Sequence, residues 1–343
     1  MSDLLGDIAK AEVQQATEEL REANIRLARN LARAKAKTED LVDAVYRAVA
    51  DSLITAPPRP VQPPKRDRRS KGGEVALWHL SDWQGSKVTT SYNSAVMRQR
   101  VNDYLDKAEH ITDIQRSDHP VRRCAILFGG DMLEGLFNFP TQVFEVDATI
   151  FEQWQIVSRL EADVVSRALR IYDTVDVFDE WGNHGRIGSR RDAVPRHDNL
   201  DRMCYATAKM MVGPDPRLTW HGSAEDIQRV EIGNYRALSM HGDETGRNGF
   251  TSVNTFLTYL NKLKAGGYGW SFRDVYTGHR HTHMEQTMAD GAGSWYQTGS
   301  TESDNRYARD SLGSAAEPSQ RLHFVDPSRG RVTAQYKILL GDG

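Results

Sequence analysis

Cys124-Ala125-Ile126-Leu127-Phe128-Gly129-Gly130-Asp131-Met132-Leu133-Glu134-Gly135 decides the fold. Five apolar residues in a row are too short for a helix and suit a strand buried on both faces. The two glycines let the backbone bend sharply and bring the carboxylate of Asp131 to the strand's carboxyl end. In open α/β sheets, sites are built at that end of the strands.

The same unit recurs on either side. Glu74 to Leu80 reads as a strand and ends in His79-Leu80-Ser81-Asp82-Trp83-Gln84-Gly85. Val175 to Phe178 leads to Trp181-Gly182-Asn183-His184-Gly185, and Tyr235 to Met240 leads to Met240-His241-Gly242-Asp243. Val275 to Thr277 leads to Gly278-His279-Arg280-His281. Helical periodicity separates these strands at Asn93 to Gln115, Asp147 to Tyr172, Arg196 to Val212 and Ser252 to Lys264. Beyond them come short β segments at Met284 to Met288, Ser294 to Thr298, Arg321 to Val325 and Arg331 to Leu339. Residues 73–343 therefore read as one α/β catalytic domain that finishes in β. There is no internal repeat, no P-loop and no G-x-G-x-x-G.

Two segments precede that domain. Residues 1–55 contain no proline and one glycine, and Leu20, Leu27, Ala34, Leu41 and Ala48 fall seven apart. This is a long N-terminal helix with a heptad-like stripe. It reads either as a coiled coil that makes a homodimer or docks a partner, or as a helix lying on its own catalytic domain. Residues 56–72 are rich in proline, with six basic residues against one acidic, and read as a solvated linker or a phosphate-backbone contact.

Composition narrows the classes. The 343 residues carry a net charge of −3, so any nucleic-acid binding must come from local patches. Cys124 and Cys204 lie far apart among apolar residues and read as buried free thiols of a reducing compartment. No apolar run is long enough to span a bilayer, and Met1-Ser2-Asp3 does not open a signal peptide. The expectation is a cytoplasmic protein without a membrane partner.

As bare chemistry, the clusters at the strand ends offer two aspartates, a glutamine, an asparagine and several histidines. Such a mixture of oxygen and imidazole donors suits Mn²⁺, Fe or Zn²⁺. A pair of metals needs a carboxylate that can bridge them, and Asp131 is the natural bridge. On an extended segment His279 and His281 would point to the same side. Taken singly, Asp82 reads as a helix cap or turn residue, Asp131 and Asn183 as turn residues, and His241 as a core histidine. Their order, each after a strand, is what favours a metal site. Glu134 reads as a supporting or surface residue. His283 extends the histidine alternation but reads as structural. So do His79, His110, His119, His197, His221 and His323.

Asp-x-His, Gly-Asp-x-x-(Glu/Asp), Gly-Asn-His-(Glu/Asp), a lone His and Gly-His-x-His, in that order, resemble the calcineurin-like metallophosphoesterase superfamily. Asp131, Asn183-His184, His241 and His279-x-His281 match residue by residue, over about 200 residues in the middle of the chain. The first motif also resembles that of SbcD-type DNA-repair nucleases. The resemblance implies a four-layer α/β/β/α sandwich and two divalent metal ions. Asp82, Gln84, Asp131 and His281 would hold one ion; Asp131, Asn183, His241 and His279 would hold the other. It further implies attack on phosphorus by a bridging hydroxide, with His184 stabilising the transition state or protonating the leaving oxygen.

Two positions depart from that pattern. Gln84 stands where the family has histidine, which weakens the first metal and shifts preference from Zn²⁺ toward Mn²⁺ or Mg²⁺. Gly185 stands where an acidic residue usually follows the histidine, so any carboxylate partner of His184 must come from elsewhere. Arg186, Arg190 and Arg191 follow closely and read either as a phosphate clamp or as an ordinary charged loop. The leading expectation is a metal-dependent nuclease acting on nucleic acid. A phosphodiesterase or phosphatase on a small nucleotide or phosphoprotein is the second reading, and a degenerate scaffold the third.

Overall fold

The computed structural model describes residues 73–343 apart from 139–141, 189–197, 223–224, 245–251, 306–315 and 342–343, together with scattered positions between 40 and 69. The N-terminal helix expected over 1–55 lies almost wholly outside the described residues. So do Arg190 and Arg191.

The Phe128-Gly129 junction organises a mixed α/β architecture. The elements run β1 (Glu74–Leu80), α1 (Ser94–Arg116), β2 (Val121–Phe128), α2 (Ile150–Ile171), β3 (Thr174–Asp179) and α3 (Leu200–Val212). Then follow β4 (Leu218–Gly222), β5 (Gln228–Ile232), β6 (Tyr235–Ser239), α4 (Val253–Lys262), β7 (Asp274–Thr277), β8 (Met284–Thr287), β9 (Ser294–Gln297), β10 (Ser319–Asp326) and β11 (Arg331–Leu339). Six strands form one sheet in the order β11-β10-β1-β2-β3-β4, and five form a second in the order β5-β6-β7-β9-β8. β1 to β4 run parallel, as do β6, β7 and β9, while β10 and β11 at one edge of the first sheet and β5 and β8 at the two edges of the second pair antiparallel.

The two-residue period of β1 shows how the sheets are buried. Ala76, Trp78 and Leu80 join the cluster made with α1, α2 and α3. Val75 and Leu77 face the opposite way and join Ala125, Leu127, Tyr235, Ala237, Tyr276 and Tyr296 between the sheets. The outer face of the second sheet, with Leu238, Val275 and Trp295, packs on Phe256 and Leu260 of α4. Two sheets flanked by helices result. His323 and Arg321, on β10, face the second sheet: His323 Nδ1 lies 3.0 Å from the Tyr276 hydroxyl, and Arg321 Nη2 donates to the Gln297 carbonyl at 3.0 Å. Both cysteines are buried and free.

The helices start where side chains can satisfy their first N–H groups. Thr149 and Glu152 form a capping box on α2, and Asn93 and Asn199 cap α1 and α3. Two strands had no expectation in the sequence, β4 and β5. β4 has no fully buried residue, so the apolar run that marks a central strand is missing from it. α4 stops earlier than its periodicity suggests and passes into a π turn over Leu263–Gly267, where Gly266 takes φ 114°.

The described part of the linker is not a free tether. Val61 packs against the helix-side core, and its carbonyl accepts from Arg217 Nη2 at 3.0 Å. Arg69 donates to the Arg116 carbonyl at 2.7 Å. These contacts lie where α1 ends and where β2 and β4 begin, at the opposite end of the sheet from the strand-end loops. No helix among the described residues is long and apolar enough to cross a membrane.

Candidate metal centre

All five motif loops leave the carboxyl ends of their strands, after β1, β2, β3, β6 and β7, and their backbones are tied together there. Asp82 N donates to the Gly130 carbonyl and Gln84 N to the Asp131 carbonyl, both at 3.0 Å. His279 N donates to both oxygens of Asp82, each at 3.0 Å. His184 N donates to Asp131 Oδ1 at 2.7 Å. Asp201, at the start of α3, accepts from Asp131 N at 2.9 Å, Gly182 N at 2.8 Å and Met132 N at 3.1 Å. Burial, and then the charge of Asp131, raise the Asp201 carboxyl to about 6.

Backbone conformation marks the same residues. Among the described residues, seven non-glycine positions take positive φ, and five of them are Asp82 (53°), Gln84 (47°), Asp131 (52°), His279 (68°) and His281 (54°). Such conformations cost on the order of 1–3 kcal/mol each and gather where a site needs its side chains aimed. The expectation of an extended His279-Arg280-His281 segment is therefore corrected. Both histidines are left-handed, and their rings serve different neighbours. His279 lies edge-on to His241, with ring centroids 5.1 Å apart, whereas His281 Nε2 lies 3.4 Å from Asp82 Oδ1 and 3.2 Å from Gln84 Nε2. Glycine is required at two close approaches. A Cβ on Gly182 would fall on the Asp131 carboxylate, and one on Gly278 on the carboxylate of Asp82.

The donor set fits divalent cations. Asp131, His241 and His279, all buried, bring one ligand atom each within 4.8 Å of one another. His241 Nδ1 lies 2.8 Å from the Gly129 carbonyl, which can only accept, so this nitrogen carries a proton. Its other nitrogen, Nε2, stands 3.0 Å from Asp131 Oδ2. In the neutral ring that would set a lone pair against a carboxylate, so positive charge must lie between them, as a proton or a cation. Two ligands on one ion at about 2.1 Å and a right angle stand about 3 Å apart, which matches the observed spacing. Asn183 Oδ1 and Gln84 Oε1 are buried with no hydrogen-bond partner among the described residues, as unfilled ligand atoms would be. With protein charges alone, burial pulls the His241 imidazole down, but Asp131 outweighs it and holds its pKa well above the ordinary value. Burial likewise opposes the ionisation of Asp131, yet the facing His241 and His184 keep its carboxyl far below the usual range.

The nominated His184 faces both ways. Its Nε2 lies 3.9 Å from Asp131 Oδ2, and its Nδ1 lies 3.1 Å from Glu134 Oε2. Burial lowers its pKa, but Glu134 and then Asp131 outweigh this and raise it to about 9. Glu134 thus supplies the carboxylate missing at Gly185. It is itself buried and held by Lys87 Nζ at 3.2 Å. Asn138 and Gln142 fix this corner: Asn138 Nδ2 donates to the Asn183 carbonyl at 2.9 Å and Gln142 Nε2 to the Glu134 carbonyl at 2.6 Å.

Other nominated residues fall elsewhere. Arg186 Nη2 is paired with the buried Asp243, while its Nε has no hydrogen-bond partner among the described residues. The ring of His283 sits near Arg321 and Lys337; burial, followed by those charges, holds its pKa at about 3. The sequence reading missed Asp201 and also Glu302, whose Oε2 lies 3.2 Å from His281 Nδ1. The available signal for Glu302 was its place just beyond β9, another parallel strand ending in a polar run.

No protein-family model matches the chain, and no curated protein matches it. Among solved structures it is similar to Vps29 of Entamoeba histolytica complexed with zinc, at 13% identity and TM-score 0.36, covering 78% of this chain and 99% of that one. A hypothetical protein from Pyrococcus horikoshii aligns at 11% identity and TM-score 0.39, covering 78% and 89%. A conserved uncharacterised protein of Streptococcus pneumoniae, a predicted phosphoesterase, aligns at 12% identity and TM-score 0.28, covering 77% and 98%. Likeness of this degree says nothing about chemistry, which must be argued from the chain's own side chains.

Proposed function

We propose that this protein is a metal-dependent phosphoester hydrolase. The observation that carries the reading is the convergence of five strand-end loops on one buried cluster, with five of its donor residues held in left-handed conformations. Asp82, Gln84, Asp131 and His281 would hold one divalent ion, and Asp131, Asn183, His241 and His279 the other. Mn²⁺ is the first choice because the set mixes carboxylate, amide and imidazole. Ions bound there supply positive charge to the phosphoryl oxygens and lower the pKa of water.

The chain's own residues do the rest. Asp131 gives a fixed negative centre to which both halves of the cluster are oriented. Gly182 and Gly278 allow the loops to close around the carboxylates. His184, kept protonated by Glu134 and aimed with Nε2 toward the cluster, is placed to neutralise charge on the phosphoryl group or give a proton to the leaving oxygen.

The substrate proposed is a phosphodiester of nucleic acid. Its support is the SbcD-like stretch His79-Leu80-Ser81-Asp82-Trp83-Gln84-Gly85. The experiment is metal rescue: strip the protein, restore Mn²⁺, Mg²⁺ or Zn²⁺, and follow bis-(p-nitrophenyl) phosphate beside single- and double-stranded DNA. Mn²⁺-dependent cleavage of both is expected, abolished by Asp131→Ala. Cleavage of the small ester alone would move the substrate to a small phosphodiester. Inactivity with every metal would end the hydrolase reading.

A further inference from the structure

Gln84 is the weak member of the donor set, because a neutral amide oxygen binds a divalent ion less firmly than an imidazole. The same corner of the cluster holds a feature that offsets this weakness. Among the described residues, the two faces of the His281 ring meet different chemistry: Nε2 faces Asp82 and Gln84, while Nδ1 faces the carboxylate of Glu302 at 3.2 Å. Glu302 is buried, with 4% of its surface exposed, so solvent does not dissipate the contact.

Glu302 is also fixed. Both its oxygens accept from Asn305 Nδ2 at 3.0 Å, and its backbone N–H donates to Ser300 Oγ at 2.9 Å. Ser300 Oγ in turn donates to the Asp82 carbonyl at 2.6 Å, and Thr301 Oγ1 lies 3.1 Å from the Trp83 carbonyl. Arg100 Nη1 donates to the Thr301 carbonyl at 2.6 Å. The segment after β9 is therefore stitched to the loop that carries Asp82 and Gln84. Its carboxylate meets the His281 ring at the nitrogen turned away from those two donors.

We infer that Glu302 is the positioning residue of His281, and that it offsets the amide at Gln84 in holding the ion on that side of the cluster. The inference rests on the metal centre proposed above. A carboxylate on Nδ1–H fixes the tautomer that leaves a lone pair on Nε2, orients the ring and makes that lone pair a stronger donor. Loss of such an outer partner lowers metal affinity about 10–100-fold. The half built on Asp131, His241 and His279 is supported instead from Asp201 and the Gly129 carbonyl, and should not respond.

The test is titration calorimetry of the full chain with Mn²⁺, for the wild type, Glu302→Gln, and Glu302→Gln combined with Gln84→His. The wild type should bind two ions. Glu302→Gln should weaken one of them by about 10–100-fold and leave the other unchanged, and adding Gln84→His should recover part of the lost affinity. The absorption spectrum of the Co²⁺-loaded protein should change in Glu302→Gln, independently of activity. Unchanged affinities in Glu302→Gln would overturn the inference. So would equal weakening of both ions, or no rescue by Gln84→His, since Glu302 would then be only a structural residue. A wild type that binds no Mn²⁺ would instead overturn the metal centre, and the inference with it.

Discussion

The two halves of the cluster are built to different standards. The half made by Asp131, Asn183, His241 and His279 is deep. The His241 side chain is 0% exposed and Asp131 1%, and Asp201 fastens the loops before both Asp131 and Asn183 from below. The half made by Asp82, Gln84 and His281 is shallower at one residue, His281, since Asp82 and Gln84 are buried. The His281 side chain is 20% exposed, one donor is an amide, and support comes from Glu302 and the segment after β9. In the proposed centre, this difference would make one ion firmly held and the other exchangeable. The exchangeable ion would lie nearer the solvent, where a substrate arrives.

The harshest break is Asp131→Ala, because Asp131 belongs to both halves. Activity should fall by more than about 10³-fold, and calorimetry should lose both ions together. Retention of one ion at wild-type affinity would show that Asp131 does not join the halves. Asp201→Asn separates them. Asp201 accepts three backbone N–H groups, and an amide cannot accept all of them, so a donor is left buried and unpaired at a cost of about 1–3 kcal/mol. The expected result is a lower unfolding midpoint and weaker binding at the deep half, with the shallow half little changed. If the shallow half weakens instead, the assignment of the loops is wrong.

A third test concerns the histidine that faces both halves. Because the pKa of His184 is raised to about 9, its proton is retained through neutral pH and lost above that value. Glu134→Gln removes the larger of the two charges that raise it. The alkaline limb of kcat/KM should then move to lower pH, and kcat at neutral pH should fall by on the order of 10²-fold, while Mn²⁺ affinity is unchanged. A profile that does not move would leave Glu134 a packing residue and His184 outside the proton chemistry.

The sequence showed the donors better than what holds them. Asp82, Asp131, Asn183, His241, His279 and His281 were legible because each follows a short apolar run, and strand ends in such sheets converge. Asp201 and Glu302 were not, because their roles are set by contacts between distant segments. Asp201 reads like any acidic residue in the first turn of a helix, and Glu302 follows a strand that bears no histidine motif. Glu134 was visible as part of a motif, yet its partnership with His184 depends on how the loops after β2 and β3 cross. The left-handed backbones were also hidden: nothing in Gln84 or His279 advertises positive φ, which the surrounding loops impose. The linker misled for a related reason. Prolines and basic residues look solvated, but Val61 and Arg69 find their partners only once β4 and α1 are in place.

The mildest and most specific probe is Gln84→His. Replacing the amide by imidazole should strengthen the shallow half for Zn²⁺ by on the order of tenfold, about 1.4 kcal/mol, and for Mn²⁺ by less, because imidazole favours zinc more than manganese. Competition titrations with the two ions would measure the ratio at each half separately. The deep half should keep its wild-type ratio, since none of its donors changes. A shift confined to the shallow half would locate the metal preference of the centre in this one side chain. A shift at both halves would mean that the ions are coupled through Asp131 more strongly than their donors differ, and that the contrast between firm and exchangeable sites belongs to the geometry of the cluster and not to its occupancy.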